Sequence, residues 1–243
     1  MSPEKLKAAF NFKQFSIVQD HCVMKLNTDG VLLGAWCDVT GASNVLDIGT
    51  GTGIIALMVA QRAAENTKIT AVDIDDGACI DASINVANSP FADKIMVVNS
   101  SVQDFSYESI DNFDLIISNP PFFTGGTFSA NENKANVRHA IKLPHGELLT
   151  SVQRLLKPNG KFALILPYLE GLRLIELAER SNLFPVRITE VMSKTDRPIE
   201  RLLIELSKKK VDCMQNQVII HDSEKNDYHQ DYVQLTKDFY LKF

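Results

Sequence analysis

Val45-Leu-Asp47-Ile-Gly49-Thr-Gly51-Thr-Gly53 is the stretch of sequence that decides the fold. A short apolar run comes directly before three glycines, and the residues from Ile54 to Ala64 then have the apolar spacing of a helix. A strand, a glycine loop and a helix in this order are typical of the first unit of a parallel α/β sheet. The glycines of such a loop let backbone N–H groups approach a ligand where a Cβ atom would obstruct it.

The chain beyond this loop repeats the pattern, because short apolar runs alternate with helical patterns up to about Leu206. We predict seven strands, near Val45–Ile48, Ile69–Ile74, Ile95–Val98, Phe113–Ser118, Lys161–Leu166, Phe184–Met192 and Arg201–Leu206. We predict helices over Ile54–Ala64, Asp76–Ala87, His145–Leu156 and Leu169–Ser181. The last two strands follow each other through a short polar link and are expected to form an antiparallel pair. The fold class is therefore α/β, a Rossmann-like, seven-stranded and mostly parallel sheet with helices on both faces.

The composition favours a single domain. A chain of 243 residues with 45% hydrophobic side chains can bury one substantial core. We divide the predicted domain into an N-terminal extension (1–40), a core (41–210) and a C-terminal extension (211–243). In the first extension Thr28 and Asp29 are expected to cap a helix over Val31–Cys37. In the last, helical spacing predicts a helix that packs on the core through Tyr232, Leu235, Phe239 and Tyr240.

Several classes of protein are disfavoured. The four cysteines lack Cys-x-x-Cys spacing and neighbouring histidines, so we expect neither a metal site nor a disulfide framework. The sequence has no signal-peptide pattern and no apolar run of about 18 residues, which predicts a cytoplasmic protein without a membrane span. A net charge of -5 argues against sequence-blind nucleic-acid binding by the whole surface but permits a local basic face. We expect a monomer.

Asn119-Pro120-Pro121-Phe122 follows the predicted strand Phe113–Ser118, at the edge of the sheet where the glycine loop also lies. An exocyclic amine on adenine or an amide nitrogen is a poor nucleophile because its lone pair is delocalised into the adjoining π system. The Asn119 side-chain oxygen and the Pro120 carbonyl could accept hydrogen bonds from either kind of nitrogen and localise its lone pair. The two prolines fix the backbone, and Phe122 offers a flat face on which a flipped base can stack.

This tetrapeptide resembles the active-site motif of S-adenosylmethionine-dependent methyltransferases that act on planar nitrogens, and the glycine loop resembles their cofactor loop. The resemblance implies a class I methyltransferase fold and S-adenosylmethionine as cofactor, without a metal. It implies catalytic roles for Asn119, Pro120, Pro121 and Phe122. It implies cofactor contacts from Thr28, Asp47, Gly49, Gly51, Gly53, Asp73, Ile74, Asp104 and Asn119.

Three carboxylates refine the cofactor prediction. Asp73 ends the second predicted strand about 20 residues after the loop, where a carboxylate can accept hydrogen bonds from two ribose hydroxyls. Asp47 can orient the loop or reach the ammonium group of the cofactor. Asp104 lies where this family often places a carboxylate facing the adenine amine, although a helix cap or a solvated acid is the alternative. An NAD dehydrogenase would have its third glycine one residue later, where this chain has Ile54.

The flanking sequence narrows the resemblance. Phe12-Lys-Gln-Phe15, the stretch from Met24 to Trp36, and Leu235-Thr-Lys-Asp-Phe239-Tyr240 resemble the bacterial tRNA1(Val) adenine-N6 methyltransferase family, from about Phe10 to the C-terminus. The resemblance implies methylation of the adenine beside the anticodon and the anticodon arm of valine tRNA as partner. Phe122 departs from the tyrosine of many related enzymes. Guanine-N2 methylation of rRNA, glutamine-N5 methylation of a protein, and a non-catalytic RNA-binding factor stay open as alternatives.

Two groups of basic residues are candidates for RNA contact. Lys134 and Arg138 belong to a long polar stretch between Phe123 and Leu143, and stretches of this length inside a compact domain are often functional. Lys194 and Arg197 belong to the polar link between the last two predicted strands. We predict that these four side chains meet tRNA phosphates. For the first pair the alternative is an ordinary solvated insertion, in which Arg138 could bind within the protein, and for the second pair it is a solvated link.

Overall fold

A sheet of eight strands organises the part of the chain that the structure, a computed structural model, describes: residues 9–109, 112–121, 143–224 and 227–243. A separate hairpin of β1 (Phe10–Asn11) and β2 (Ser16–Ile17) precedes it. The strands of the sheet are β3 (Asn44–Ile48), β4 (Lys68–Asp73), β5 (Ile95–Asn99), β6 (Phe113–Ser118), β7 (Leu156–Pro167), β8 (Phe184–Met192), β9 (Ile199–Ser207) and β10 (Met214–Ile219). Their spatial order is β10-β8-β9-β7-β6-β3-β4-β5, and β9 alone runs antiparallel to its neighbours, β7 and β8.

Helices lie against both faces of this sheet. They are α1 (Thr28–Trp36), α2 (Ile54–Arg62), α3 (Asp76–Ala87), α4 (Val102–Glu108), α5 (His145–Leu155), α6 (Tyr168–Arg180) and α7 (Gln230–Thr236). Successive residues of a strand point to opposite faces. Val45 therefore packs into the hydrophobic core that contains α1 and α2, whereas its neighbour Leu46 packs into the core that contains α5 and α6. The predicted fold class is confirmed.

All seven predicted strands are present, and the last predicted pair is the antiparallel pair β8 and β9. The sequence prediction missed β10, which extends the sheet beside β8. Gln215, Asn216 and Gln217 are exposed in this strand, because it has a neighbour on one side only. An edge strand with exposed polar side chains lacks the apolar pattern on which strand prediction depends.

The cap of α1 differs from the prediction by one residue. Asn27, and not Thr28, is the N-cap, since its Oδ1 accepts a hydrogen bond from the Gly30 amide at 2.9 Å. Thr28 is already helical. Asn and Thr are both good caps, so the preference for one cannot be read from residue type alone.

The two ends of the described chain contact each other. Phe12 forms a β-bridge with Tyr240 and its ring stacks on that tyrosine at 5.6 Å, while the Lys13 amide donates to the Phe239 carbonyl at 2.8 Å. Phe12 and Phe239 are buried in the same core as α1 and α2. These contacts support our proposal that both extensions and the core form one domain. Among the described residues, no helix has the length and apolar character needed to cross a membrane.

Candidate active site

The glycine loop joins β3 to α2 and is held by the end of β4. Gly49, Gly51 and Gly53 have φ values of +69°, +56° and +80°, a region that other residues rarely adopt. The Gly49 amide donates to the Val72 carbonyl at 2.8 Å. The Gly51 amide donates to Asp73 Oδ2, also at 2.8 Å. The loop is thus fixed against the neighbouring strand and turns its backbone toward the space above the sheet.

A cleft opens beside this loop, and we call it the main cleft. Five of the predicted cofactor residues line it: Gly49, Gly51, Asp73, Ile74 and Asn119. The remaining walls include the turn after β5, at Ser101–Gln103, and the chain segment at Cys22–Met24. A cleft at the carboxyl end of parallel strands is where such sheets bind nucleotide-like ligands.

Gly53 has a packing role instead of a place in the main cleft. A Cβ atom at Gly53 would lie 3.4 Å from the Cα and Cβ atoms of Ala82 in α3. The residue therefore lets α2 begin close against α3, and it does not line the main cleft.

Asp47 lies directly beneath the loop and is fully buried. Its Oδ2 accepts a hydrogen bond from the Thr50 hydroxyl at 2.7 Å. Burial raises the pKa of Asp47 to about 7, although the Thr50 hydroxyl and the nearby Ala56 amide oppose the rise. Asp47 Oδ1 has no close hydrogen-bond partner among the described residues. A buried carboxylate oxygen without a hydrogen-bond partner is energetically costly, so a positively charged or hydrogen-donating group beside it would be stabilising.

Asp104 is not in the main cleft. The Ser101 hydroxyl donates to Asp104 Oδ2 at 2.6 Å and accepts from the Asp104 amide at 3.0 Å, so the two residues cap the start of α4. The side chain of Asp104 is consequently held on the exposed outer surface. The alternative reading from the sequence, a helix cap, is the one that the structure has, and Ser101, Val102 and Gln103 form this wall instead.

The segment of residues 18–24, which we call the strap, forms a wall that the sequence prediction missed. Asp81 Oδ2 accepts from the amides of His21 and Cys22 at 2.9 and 2.7 Å. The Val18 amide donates to Asn85 Oδ1 at 2.7 Å, and Asn85 Nδ2 donates to the Val18 carbonyl at 2.8 Å. Asp81 and Asn85 are both buried, one helical turn apart on α3. In the sequence, the signal that could have indicated this wall was two polar residues one turn apart on a predicted helix.

A second cavity, which we call the side cavity, meets the main cleft at Asn119. Its lining consists of Met24, Asn27, Thr28, Asp29, Asn119, Pro121 and Arg201. Thr28 lines this cavity and not the main cleft. The strap borders the main cleft, and α1 begins at Thr28, four residues after the strap ends. Arg201 Nε donates to Asp29 Oδ2 at 2.9 Å, which links β9 to the start of α1. From the sequence, Arg201 was predicted as the first residue of a strand, with no contact to the Asn-Pro-Pro turn.

Asn119 directly follows β6, whose last residue, Ser118, donates its hydroxyl to the Ile48 carbonyl at 2.9 Å. This bond ties the Asn-Pro-Pro turn to the strand that carries the glycine loop. Asn119 and Pro121 are half-buried and Pro120 is buried. The predicted roles of Phe122, Lys134 and Arg138 fall outside the described residues.

Lys194 and Arg197 lie in the turn between β8 and β9, where the Arg197 amide donates to the Lys194 carbonyl at 3.1 Å. Neither side chain lines the main cleft or the side cavity. In the part of the chain that is described, no group of three or more His, Cys, Asp or Glu side chains could hold a metal ion.

Comparison with known proteins places the chain in a family. The methyltransferase small domain family matches residues 26–170. A tRNA1(Val) (adenine(37)-N6)-methyltransferase of Histophilus somni (strain 2336) is 39% identical over 237 residues, 98% of this chain and 99% of the relative. Its counterpart in Trichodesmium erythraeum (strain IMS101) is 43% identical over 235 residues, 96% of this chain and 98% of the relative.

Solved structures agree on the fold. A predicted O-methyltransferase from Agrobacterium tumefaciens superposes with a TM-score of 0.67 at 17% identity, covering 87% of this chain and 96% of the other. A 16S rRNA methyltransferase from T. Thermophilus, solved with AdoMet and guanosine, gives 0.56 at 19% identity, covering 83% and 50%. The match to full-length relatives, on a sheet and glycine loop of the class I methyltransferase type, shows that this chain belongs to the bacterial tRNA1(Val) (adenine(37)-N6)-methyltransferase family.

Proposed function

We propose that this chain transfers a methyl group from S-adenosylmethionine to N6 of adenine 37 in tRNA1(Val), the reaction in the name of its relatives. The observation that carries the proposal is the shared wall of two cavities. Asn119 and Pro121 line both the main cleft and the side cavity. Methyl transfer needs a donor site and an acceptor site that meet at one point, and these two residues mark that point.

The main cleft has features that fit the cofactor. Asp73, at the carboxyl end of β4, is positioned to accept hydrogen bonds from the ribose hydroxyls. The positive φ of Gly49 and Gly51 leaves the loop without Cβ atoms on the side of the ligand, and a Cβ atom at Gly49 would meet nothing within 4 Å. When bound, S-adenosylmethionine would supply a methyl group activated by a positively charged sulfur.

Asp47 is proposed to hold the charged end of the cofactor. Its Oδ1 needs a partner, and an ammonium group near the loop would supply one. Since burial raises the pKa of Asp47 to about 7, a positive charge beside it would favour the ionised carboxylate. The structure gives no reason to assign Gly53, Thr28 or Asp104 to this part of the site.

The side cavity is proposed to receive the target adenine. The side-chain oxygen of Asn119 and the carbonyl of Pro120 would accept hydrogen bonds from the exocyclic amine and turn its lone pair toward the main cleft. Phe122 would stack on the base, as the sequence predicts. The proton released after transfer can pass to water, so the chemistry requires no histidine.

RNA contacts outside the site follow from the basic side chains. We propose that Lys134, Arg138, Lys194 and Arg197 bind phosphates of the anticodon arm of valine tRNA. Because tRNA is made and used in the cytoplasm, we propose the same location for the protein, and we expect it to act as a monomer.

Nucleoside analysis tests the proposed function. The protein is incubated with S-adenosylmethionine and unmodified transcripts, including valine tRNA, and the digested RNA is analysed by mass spectrometry. The proposal requires N6-methyladenosine in valine tRNA. Methylguanosine, or methylation confined to rRNA or to protein in parallel reactions, would refute the substrate while leaving the cofactor unchanged.

A further inference from the structure

A third cavity continues from the side cavity, and we call it the aromatic cavity. The two cavities share Thr28, Asp29 and Arg201 in their walls. The far wall comes from the end of β8 and from the segment around β10 and α7, with Ser193, His221, Tyr228 and Tyr232. The main cleft shares none of these residues. The C-terminal extension therefore builds a space next to the proposed acceptor site that cofactor binding does not use.

Three rings of this wall form a stack that runs from the core to the surface. Tyr232 is buried, and the Tyr228 ring lies on it at 5.0 Å with an angle of 22° between the planes. His221 stacks on the same Tyr228 ring, at 5.2 Å and 24°. His221 is exposed, so the stack ends at the surface of the cavity in a flat ring.

The backbone holds this terminal ring in place. The His221 amide donates to the Ser193 carbonyl at 2.9 Å, at the end of β8. His221 and Tyr228 also form a β-bridge, with the His229 amide donating to the Ile220 carbonyl at 2.9 Å. The backbone that carries the His221 ring is thus fixed before any ligand arrives, so a ligand that stacks on the ring loses little binding energy to ordering the chain.

A cation stands between the two cavities. Arg201 forms an ion pair with Asp29 at 2.9 Å, and 31% of its side chain is accessible to solvent. A guanidinium group held in this way can bind a phosphate while its position is fixed by the carboxylate. The same walls also carry the carboxylates of Asp29 and Glu200, so the guanidinium group of Arg201 is the positive charge that a phosphate would meet at this boundary.

We propose that the aromatic cavity binds the nucleotide adjacent to the methylated adenine in the RNA. Its base stacks on His221, and the phosphate that joins the two nucleotides lies near Arg201. Proteins that read unpaired RNA commonly stack the splayed bases on aromatic rings, and a base leaves the RNA stack more easily when its neighbour is also held. This inference rests on the proposed function and extends it from one nucleotide to two.

A coupling experiment tests the contact. The full-length protein is titrated with a fluorescently labelled anticodon-arm RNA, intact or with an abasic ribose on the 5′ or the 3′ side of the target adenine. If the adjacent base stacks on His221, H221A weakens binding of the intact RNA by about 5- to 150-fold, the range for one stacked base. Against the matching abasic RNA, H221A has no further effect, because the base is already missing.

Controls separate stacking from damage to the fold. H221F keeps a ring and should retain binding of the intact RNA. Y107A removes a ring that is 73% exposed on α4, away from all three cavities, and should change nothing. S-adenosylmethionine affinity should be equal in all variants, since His221 does not line the main cleft.

Two failures can be told apart. If the wild-type protein does not methylate adenine in the intact RNA, the proposed function is wrong and this inference falls with it. If methylation occurs but H221A binds the intact RNA normally, or loses affinity equally for intact and both abasic RNAs, the second nucleotide site is refuted and the proposed function stands.

Discussion

At the scale of single residues, the buried carboxyl group of Asp47 is where electrostatics bears on the proposed cofactor binding. Its carboxyl group is buried and has a pKa of about 7, well above its ordinary value of 3.8. A raised carboxyl pKa means that the folded protein holds a proton that the unfolded chain has lost, so this group destabilises the fold progressively as the pH rises from about 4 to about 7. Replacing Asp47 removes that cost, and a neutral side chain of the same shape isolates the effect of the charge.

We expect D47N to unfold at a higher temperature than the wild-type protein at about pH 8, but to bind S-adenosylmethionine more weakly. The wild-type affinity should rise roughly tenfold between about pH 5.5 and about pH 7, where an amine is still protonated but Asp47 becomes ionised. The D47N affinity should be flat over the same interval. Calorimetric titrations at both pH values measure this, and a flat wild-type profile would show that Asp47 does not meet the ammonium group.

At the scale of elements, the strap depends on two buried side chains of α3. Burial alone would raise the pKa of Asp81, but the hydrogen bonds from Cys22 and His21 outweigh it and hold the pKa below its ordinary value. A lowered carboxyl pKa stabilises the fold above about pH 4, and the stabilisation is lost as the pH falls below that value. The strap is therefore fixed at neutral pH, where it forms one wall of the main cleft.

We predict that D81A lowers the free energy of unfolding by about 1 to 3 kcal/mol at pH 7, because two backbone amides lose their acceptor. It should also weaken S-adenosylmethionine binding, since the strap borders the main cleft. Urea unfolding at about pH 7 and about pH 3 should find the difference from wild type smaller in acid. D93A, which removes an exposed carboxylate, is the control. A normal cofactor affinity in D81A would exclude the strap from the binding site.

Elements with strong apolar patterns were predictable from the sequence, and α3 was predicted to the residue, at Asp76–Ala87. The missed elements carry weak patterns. β10 exposes its polar side chains at the edge of the sheet, and α4 has only seven residues, from Val102 to Glu108. Local composition cannot identify such elements, since their positions are set by contacts with distant parts of the chain.

The site was predictable where local geometry demands special residues. Gly49, Gly51 and Asp73 line the main cleft as expected, because the loop and the strand end that carry them are local features. A helix cap and a ligand contact can share one residue type, and Asp104 is bonded to Ser101 at the start of α4 without lining the main cleft. The place of Arg201 was missed because its ion-pair partner, Asp29, lies 172 residues away in the sequence. The strap was missed because the residue that binds it, Asp81 in α3, lies 60 residues after His21.

At the scale of the whole molecule, both extensions of the chain build walls of the cavities in and next to the proposed site. The N-terminal extension supplies the strap and Asp29, and the C-terminal extension supplies the aromatic cavity. Phe12 and Phe239 lock these extensions together in the core. We therefore expect the extensions and the sheet to unfold as one unit.

The variant F239A tests this cooperativity. Phe239 is 1% exposed, so its truncation should cost about 3 to 5 kcal/mol and lower the midpoint of a single thermal transition. L241A, at a position that is 65% exposed, should leave the midpoint nearly unchanged. Two separate transitions in F239A, with the core unfolding at the wild-type temperature, would contradict the single-domain proposal.

The position of Asn119 between the main cleft and the side cavity is tested most directly by single-turnover methylation of valine tRNA, with protein and S-adenosylmethionine at saturating concentrations. We expect N119A to lower the rate constant by on the order of 100-fold or more, the usual effect of removing one group that holds the reacting atoms. Its S-adenosylmethionine affinity should stay within about threefold of wild type, because Asp47 and Asp73 remain. A normal rate constant at saturation, or a defect explained entirely by weaker cofactor binding, would contradict the proposal that methyl donor and adenine meet at Asn119.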